Sequence, residues 1–273
     1  MSGRWPAAAV ALLCALALMV LVVAAPEHLS AIDQGRAAQG ALQMPPFGAD
    51  GRGRPLWEYA AQGASVVALP ALAAGLLVSA FSVLGGVVRA MGLERVDPMI
   101  QAAGEIVGAL PRMVVILVVA LVLPREWRGL MPLALTWALL SAPGAMDEAA
   151  AVAERLGGAR FVEALRAHGY SAPRIFLVHI VGYNLRPVLV RQGAEVMSQV
   201  VFLEIALSYL AASRQDPSFT HSDSLVSWAD ILYLGYQALA FREPYGHAVV
   251  LGLGLLALVT VFASAVGRAA RAR

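Results

Sequence analysis

Residues 64–88 read ASVVALPALAAGLLVSAFSVLGGVV, a run of twenty-five residues that contains no charged side chain. A helix needs about 20 predominantly apolar residues to cross roughly 30 Å of bilayer hydrocarbon, where all backbone hydrogen bonds must close within the segment. This run therefore predicts a membrane-spanning helix. Five further stretches meet or approach the same length: 7–25, 99–123, 130–146, 175–212 and 245–267. The sequence predicts an all-α membrane protein with about six transmembrane helices.

The composition also indicates a chain that faces lipid. Of the 273 residues, 59% are hydrophobic and 14% are charged, whereas an ordinary soluble domain is roughly 45–50% apolar. A soluble core cannot hide that much apolar surface. The net charge of +2 is too small to indicate nucleic-acid binding, and the single cysteine, Cys14, permits no disulfide framework. The five histidines are scattered without metal-ligand spacing, so we expect no metal site and no cofactor in this chain.

The distribution of arginine predicts the topology, because cytoplasmic segments of membrane proteins carry the excess of basic residues. With the amino terminus inside, ten arginines lie in cytoplasmic segments and seven in outer ones. Residues 1–25 then form an amino-terminal transmembrane helix. A signal peptide is the alternative interpretation, but its apolar core is usually about 7–15 residues long. The other predicted segments are an extracytoplasmic loop at 26–63, a membrane core at 64–267, a second outer loop at 213–244 and a cytoplasmic tail at 268–273.

The polar stretch 147–174 faces the cytosol in this topology and has the pattern of a helix–turn–helix. Asp147 suits a helix amino terminus, where negative charge interacts favourably with the helix dipole. Gly157-Gly158 would end the first helix, and Gly169 is a suitable stop for the second. The hairpin is too polar to enter lipid and too small to form a hydrophobic core of its own. We therefore expect its apolar side to bind a protein partner. A simple linker on the membrane surface is the alternative interpretation.

Within this hairpin, residues 161–169 read FVEALRAHG and residues 174–180 read RIFLVHI. The first run resembles the EAA coupling loop of bacterial ABC importer permeases, whose pattern is Glu-Ala-Ala, three residues and Gly; Leu165 stands here for the second Ala. The second run resembles the family's usual path into the next helix. In such permeases the short helix sits in a cleft of the cytosolic ATPase and transmits its closure. The resemblance implies an ATPase-coupling role for Glu163, Ala164, Arg166, His168 and Gly169.

Residues 46–54 read PFGADGRGR and resemble the signature before the second helix of dipeptide, oligopeptide and nickel permeases, specifically of the C-type subunit. Ala49 and Pro55 replace the customary Thr and second Asp. The resemblance implies that the signature lies on the outer face, near the docking site of a solute-binding protein. A purely local turn is the alternative interpretation, with Gly51 and Gly53 supplying unusual dihedrals and Asp50 accepting backbone hydrogen bonds. The signature residues are Gly48, Asp50, Arg52, Gly53 and Arg54.

The same resemblance implies a complete transport assembly. The chain would adopt the type I ABC importer transmembrane fold and would enclose a path together with a homologous B-type permease subunit. Two cytosolic ABC ATPases would bind ATP and Mg²⁺, and an extracytoplasmic solute-binding protein would deliver a peptide or a similar small solute. The chain contains no P-loop sequence, so it is predicted to be a non-catalytic subunit. The resemblance implies that it lies in the bacterial cytoplasmic (inner) membrane. A secondary transporter or a membrane-embedded enzyme without an ATPase is the competing hypothesis.

Charged residues inside the apolar runs need an explanation, since each costs on the order of 2.5–3.5 kcal/mol at the bilayer centre. Glu105 and Arg112 are seven residues apart, which places them on one face of a continuous helix. Arg191 and Glu195 are spaced for an i,i+4 ion pair. Glu105, Arg112 and Glu204 are candidates for lining a transport path, and Glu204 coincides with a Glu of the family. Structural pairing, or snorkelling toward the interface, is the alternative interpretation.

Overall fold

The computed structural model describes residues 4–90, 96–124, 127, 129–157, 160–171, 174–214 and 226–271. All regular secondary structure in these ranges is helical. The α-helices are α1 (Arg4–Val23), α2 (Leu56–Gly63), α3 (Leu69–Ala90), α4 (Asp97–Ala109), α5 (Arg112–Val122), α6 (Leu130–Gly157), α7 (Arg160–Ala167), α8 (Arg186–Arg214), α9 (Trp228–Ala240) and α10 (Ala248–Arg271). Two π-helical segments, Ala64–Ala68 and Ile175–Leu185, lead directly into α3 and α8.

Three helices in the described ranges are long and apolar enough to cross a membrane: Pro6–Val23, Leu56–Val88 and Ala248–Ala270. The helices Pro98–Ala109 and Arg112–Val122 pass the same test only as a pair, and they are bent by 81° at the break between them. These apolar helices indicate an α-helical, membrane-embedded protein. Helices α6 and α8 are 28 and 29 residues long, but they carry charged and small residues along their length.

Helix α3 lies at the centre of the bundle, between α6 and α8. Glycines bring the backbones close on both sides. A Cβ built on Gly85 would lie 2.6 Å from the Met146 Cα of α6, and one built on Gly75 would lie 2.7 Å from the Gly193 carbonyl oxygen of α8. Small residues commonly allow such approaches between membrane helices. The main apolar core surrounds these contacts and includes Ala71, Ala74, Val78, Leu133, Ala138 and Val200.

Contacts along α3 establish the direction of its neighbours. The pairs between α3 and α6 advance together along both helices: Ser82 with Ala145, Gly85 with Met146 and Gly86 with Ala149. The pairs between α3 and α8 advance in opposite directions: Gly75 with Gly193 and Gly86 with Leu185. Helices α3 and α6 are therefore parallel and α8 is antiparallel to both. The ends of α3 and α6 lie at the same end of the bundle as the start of α8.

The fourth apolar run extends further than predicted. Helix α6 continues from Leu130 through Pro143 to Gly157, so that run and the first helix of the polar hairpin form one helix. The expected helix start at Asp147 therefore does not exist as a separate boundary. Helix α7, the second helix of the hairpin, therefore follows directly after the end of a long bundle helix.

The third apolar run is broken where a continuous helix was expected. Helix α4 ends at Ala109, and α5 begins only after Pro111. Proline has no amide hydrogen and disfavours the helical conformation of the residue before it. Glu105 and Arg112 consequently lie on two helices that are bent by 81°, and the prediction that they share one helix face is wrong.

The predicted outer loops also contain helices. Residues Leu56–Gly63 of the stretch 26–63 form α2, and Trp228–Ala240 of the stretch 213–244 form α9, which starts with a capping box of Ser227 and Asp230. The fifth run begins as the π-helix Ile175–Leu185 and continues into α8 without a gap. Residues 215–225 lie outside the described ranges, as do Arg95, Gly158 and Arg273 of the predicted topology.

Candidate functional site

The signature at residues 48–54 forms a tight loop around the Asp50 carboxylate, which we call the outer loop. Asp50 is only 2% exposed, and its Oδ1 accepts hydrogen bonds from the amides of Arg52 and Arg54, both at 2.8 Å. The Tyr59 hydroxyl of α2 donates to Oδ2 at 2.7 Å. Three donors thus hold one buried carboxylate, and Asp50 ties the loop to the start of α2.

Gly48 and Gly53 determine the shape of the outer loop, with φ angles of 85° and 77°. A Cβ on Gly53 would lie 1.8 Å from the carbonyl oxygen of Asp33, and one on Gly48 would lie 2.5 Å from that of Gln39. The positive dihedrals and the close backbone contacts both require glycine. The local-turn interpretation is confirmed for Gly53 and Asp50, whereas the other positive φ lies at Gly48 and not at Gly51, where it was predicted. Docking of a binding protein at this loop stays a prediction.

Replacing Asp50 with Ala should destabilise the outer loop, because two amides and the Tyr59 hydroxyl lose a charged acceptor. Hydrogen bonds to charged groups contribute about 1.5–3 kcal/mol each. With three such bonds lost and about 2–4 °C per kcal/mol for a chain of this size, the midpoint of thermal unfolding in detergent should fall by about 10 °C or more. Asp33→Ala is the matched control, since its exposed carboxylate binds Gly35 and Arg36 at the surface. Equal losses in the two variants would contradict the role given to Asp50.

At the other end of the bundle, α7 packs through one apolar side against α6 and the π-helix before α8. Val162 is the buried residue of α7, and Leu165 packs beside it. The described part of the apolar side, which was expected to need a protein partner, is thus covered within the chain. A partner of this hairpin would meet its polar side. The small core is formed by Ala149, Ala153, Val162, Ile175, Ile180, Val181 and Leu185.

Helix α7 ends in a Schellman motif at Gly169. The Gly169 amide donates to the Arg166 carbonyl oxygen at 2.9 Å, and the Tyr170 amide donates to that of Leu165 at 3.1 Å. Gly169 has a φ angle of 81°, which glycine adopts without a steric penalty. The prediction that Gly169 terminates this helix is confirmed, and the length of α7 is fixed at about two turns.

The predicted coupling residues lie together on the polar side of α7 and just after it. Glu163 and Arg166 are exposed in the first and last turns, the arrangement that the helix dipole favours. Ala164 and His168 are exposed as well, and His168 Nδ1 lies 2.7 Å from the Ala164 carbonyl oxygen. A short polar helix is thus presented to the surface while its apolar side is anchored to the bundle.

The outer loop and α7 lie at opposite ends of the molecule. The outer loop meets the start of α10, where His247 Nε2 lies 2.7 Å from the Phe47 carbonyl oxygen and Tyr245 packs on Gly51. Arg52 is exposed there and Arg54 is half-buried. Helix α2, the first π-helix and α3 join without interruption into a rod that connects the two ends. At 1.5 Å per residue this rod is about 50 Å long.

A polar cavity of about 150 Å³ lies among α3, α5, α6 and α8. Glu148 of α6 is held there by α8: Arg191 forms an ion pair with it, and the Gln192 side-chain amide donates to its Oε2 at 2.8 Å. The predicted pair of Arg191 with Glu195 is therefore wrong. Glu195 Oε1 instead accepts a hydrogen bond from Gln199 Nε2 at 3.3 Å. The polar residues that line the cavity are Arg112, Ser141, Glu148, Gln192, Glu195 and Gln199.

The neutral polar residues around this cavity were not predicted. Ser82 of α3 donates to the Gln192 side chain, whose Nε2 also lies 3.2 Å from the Ala145 carbonyl oxygen. A signal for part of this cluster was available in the sequence. Gln192, Glu195 and Gln199 are spaced i, i+3 and i+7, which makes one polar face on a helix inside an otherwise apolar run.

The three predicted path residues do not come together. Arg112 lines the polar cavity, whereas Glu105 is exposed on α4 and is not part of the cavity lining. Glu204 is fully buried further along α8, and its Oε1 accepts a hydrogen bond from the Ser208 hydroxyl at 2.9 Å. Ser208 also lines a separate cavity of about 390 Å³ toward the carboxyl end of α8.

Neither the composition of these sites nor comparison with known proteins assigns a family. Within the described ranges, no group of three or more His, Cys, Asp or Glu residues is placed to hold a metal ion. The sequence matches no protein-family model and no curated protein. Three features remain that bear on function: the geometry of α7, the outer loop and the polar cavity.

Proposed function

We propose that this chain is a transmembrane permease subunit of an ABC importer, of the C-type found in dipeptide, oligopeptide and nickel systems. Together with a homologous B-type subunit it encloses a path for a peptide or similar small solute across the bacterial cytoplasmic membrane. Two cytosolic ABC ATPases bind the α7 ends, and an extracytoplasmic solute-binding protein docks at the outer loops. ATP-driven closure of the ATPases moves α7, and the path reopens outward. The chain itself catalyses no bond chemistry.

The single observation that carries this proposal is the construction of α7. Val162 anchors the helix by its apolar side, Gly169 stops it with a positive φ angle, and Glu163 and Arg166 remain exposed. These are the positions of the sequence run that resembles the coupling loop. A linker on the membrane surface would need neither a buried anchor nor a defined helix stop. A docking helix needs both, because the partner must meet charged groups in one fixed arrangement.

Helix α6 supplies the mechanical connection in this proposal. It runs unbroken for 28 residues, about 42 Å, past the polar cavity and up to the short link before α7. Glu148 on this helix is bonded to Arg191 and Gln192 of α8. A displacement of α7 is therefore transmitted to the polar cavity by α6 and by the bonds of Glu148 to Arg191 and Gln192.

Six membrane passes account for the helices in this proposal. They are α1, the rod of α2 and α3, the bent pair of α4 and α5, α6, the π-helix with α8, and α10. Charged residues make α6 and α8 less apolar than the other passes, but Glu148 and Arg191 pair with each other and Glu204 is buried. Paired or buried charges that face the bundle interior are the kind that membrane helices tolerate. Both termini and α7 then lie on the cytoplasmic side.

Co-purification from native membranes tests the proposal. The full chain, extracted in mild detergent, should recover a soluble P-loop ATPase, and recovery should be lost when Glu163 and Gly169 are replaced together by Arg and Val. Glu243→Arg, an exposed site beside the outer loop, is the control that should retain the ATPase. Solute transport by the purified chain alone in proteoliposomes, without ATP, would overturn the proposal and support the secondary-transporter hypothesis.

A further inference from the structure

The polar cavity contains a buried hydroxyl group that lacks a partner. Ser141 of α6 is 8% exposed, and among the described residues its Oγ has no hydrogen-bond partner. A buried polar group in this state is destabilising unless a ligand or water binds it. Ser141 lines the same cavity as Arg112 and Glu195. The Ser141 hydroxyl can therefore form a hydrogen bond with a ligand in a cavity that is also lined by charged side chains.

One wall of the polar cavity favours an anion. Helix α5 begins there with Arg112, directly after the 81° bend, and Pro111 before it offers no side-chain cap. The first amides of a helix have no partners within the helix, and the helix dipole makes this end positive. The guanidinium adds a full charge and a planar set of donors that matches a carboxylate. Broken membrane helices commonly present such ends to carboxylate groups.

The wall formed by α8 favours a cation. The charge of Glu148 is neutralised by Arg191, whereas Glu195 has the neutral Gln199 amide beside it at 3.3 Å. Arg191 and Arg268 line a neighbouring cavity together with Glu195, but among the described residues neither forms an ion pair with it. Glu195 thus leaves one negative charge in the polar cavity, and Arg112 leaves one positive charge on a different helix. The cavity is neutral overall, with two separated charges. This pattern is complementary to a zwitterion and to neither a simple anion nor a simple cation.

The surface around the polar cavity is unsuited to contact with lipid. Arg112 and Glu195 are both exposed in the single chain. Charged groups inside membrane proteins almost always face the bundle interior or a water-filled cavity. The face that carries these two residues therefore adjoins water or another polar surface, as a translocation path does.

We propose that the polar cavity is a binding site for a zwitterion the size of one amino acid. The ligand carboxylate binds Arg112 and the Ser141 hydroxyl, and the ligand ammonium binds Glu195. A cavity of about 150 Å³ accommodates a molecule as large as benzene, which is smaller than an oligopeptide. The inference that the bound zwitterion is being transported rests on the proposed function. Binding of the zwitterion to the cavity does not require an ATPase.

Equilibrium binding of radiolabelled L-alanine to the full chain in lipid nanodiscs tests this site. L-alanine should bind saturably at millimolar concentrations, and propionate and ethylammonium should each compete about tenfold less well, because each satisfies one wall alone. Arg112→Gln and Glu195→Gln should each weaken binding about tenfold or more, and Ser141→Ala about three- to tenfold. Arg155→Gln and Glu243→Gln are matched controls at exposed sites outside the cavity and should bind like the wild type. Arg112→Lys, which keeps the charge, should retain part of the affinity and shows that the site still folds.

Several results would overturn the site. These are the absence of saturable L-alanine binding to the wild type, wild-type affinity in Arg112→Gln, and equal competition by propionate, ethylammonium and L-alanine. The coupling variant Glu163→Arg separates this inference from the proposed function, since it should bind L-alanine normally. Normal L-alanine binding by a chain that recovers no ATPase would leave the site intact and remove the importer assignment. If the wild-type chain recovers the ATPase but Arg112→Gln binds L-alanine with wild-type affinity, the importer assignment stands and the proposed binding site is ruled out.

Discussion

Replacing Glu163 with Arg is expected to abolish solute-stimulated ATP hydrolysis by the assembled importer while membrane insertion stays unchanged. Glu163 is exposed in the first turn of α7, where its carboxylate is available to an ATPase surface. A charge left buried and unpaired at an interface costs about 3–5 kcal/mol, more than a hundredfold in association. The same substitution costs the fold only about 0.3–1 kcal/mol through the helix dipole. Coupling should therefore fail long before folding does.

The measurement is ATPase activity of the reconstituted complex, with and without the solute-loaded binding protein, together with the amount of chain in the membrane. Glu163→Gln removes the charge without reversing it and should retain a fraction of the stimulation. Glu243→Arg makes the same charge reversal in the turn before α10, at the outer end, and should leave coupling intact. Normal stimulated hydrolysis in Glu163→Arg, at a normal membrane level, would count decisively against the proposed function.

The most apolar helices were predictable because membrane thickness sets their length. The runs 7–25, 64–88 and 245–267 correspond to the candidate spans Pro6–Val23, Leu56–Val88 and Ala248–Ala270. The turn chemistry of the outer loop was predictable for a different reason. Gly53 and Asp50 act through their own dihedral and nearest amides, so no distant residue decides their geometry, although the second positive φ lies at Gly48 and not at the predicted Gly51.

Helix breaks and long-range pairs were not predictable from local signals. Pro111 separates α4 from α5, yet Pro143 lies within α6, where Gly104 of α4 packs against it. Both prolines stand in apolar runs, so the neighbouring helices decide which one ends a helix. Spacing along one helix likewise indicated a pair of Arg191 with Glu195, although the true partner, Glu148, lies 43 positions away in the sequence. The polar cavity is lined by residues from four helices, so its composition could not be predicted without knowing how those helices pack.

Replacing Gly75 with Leu is expected to cause a large loss of stability at the centre of the bundle. A Cβ at this position would lie 2.7 Å from both the Gly193 carbonyl oxygen and Met197 Cγ of α8. Leu has a higher helix propensity than Gly by less than about 1 kcal/mol, whereas overpacking costs about 1–3 kcal/mol or more. Separating α3 from α8 would also lengthen the bond of 3.1 Å from Ser79 Oγ to the Leu189 carbonyl oxygen. The cost of overpacking therefore exceeds the gain in helix propensity, and the substitution lowers the free energy of unfolding.

Thermal unfolding of the purified chain in detergent measures this effect. Gly75→Leu should lower the midpoint by about 10 °C, given about 2–4 °C per kcal/mol for a chain of this size. Gly254→Leu makes the same substitution in α10, where no heavy atom lies within 4 Å of the added Cβ, and should leave the midpoint unchanged or slightly raised. The comparison removes the contributions of hydrophobicity and helix propensity, which are common to both variants. Equal midpoints would mean that α3 and α8 do not touch at Gly75 and Gly193, and the central packing of the bundle would have to be redrawn.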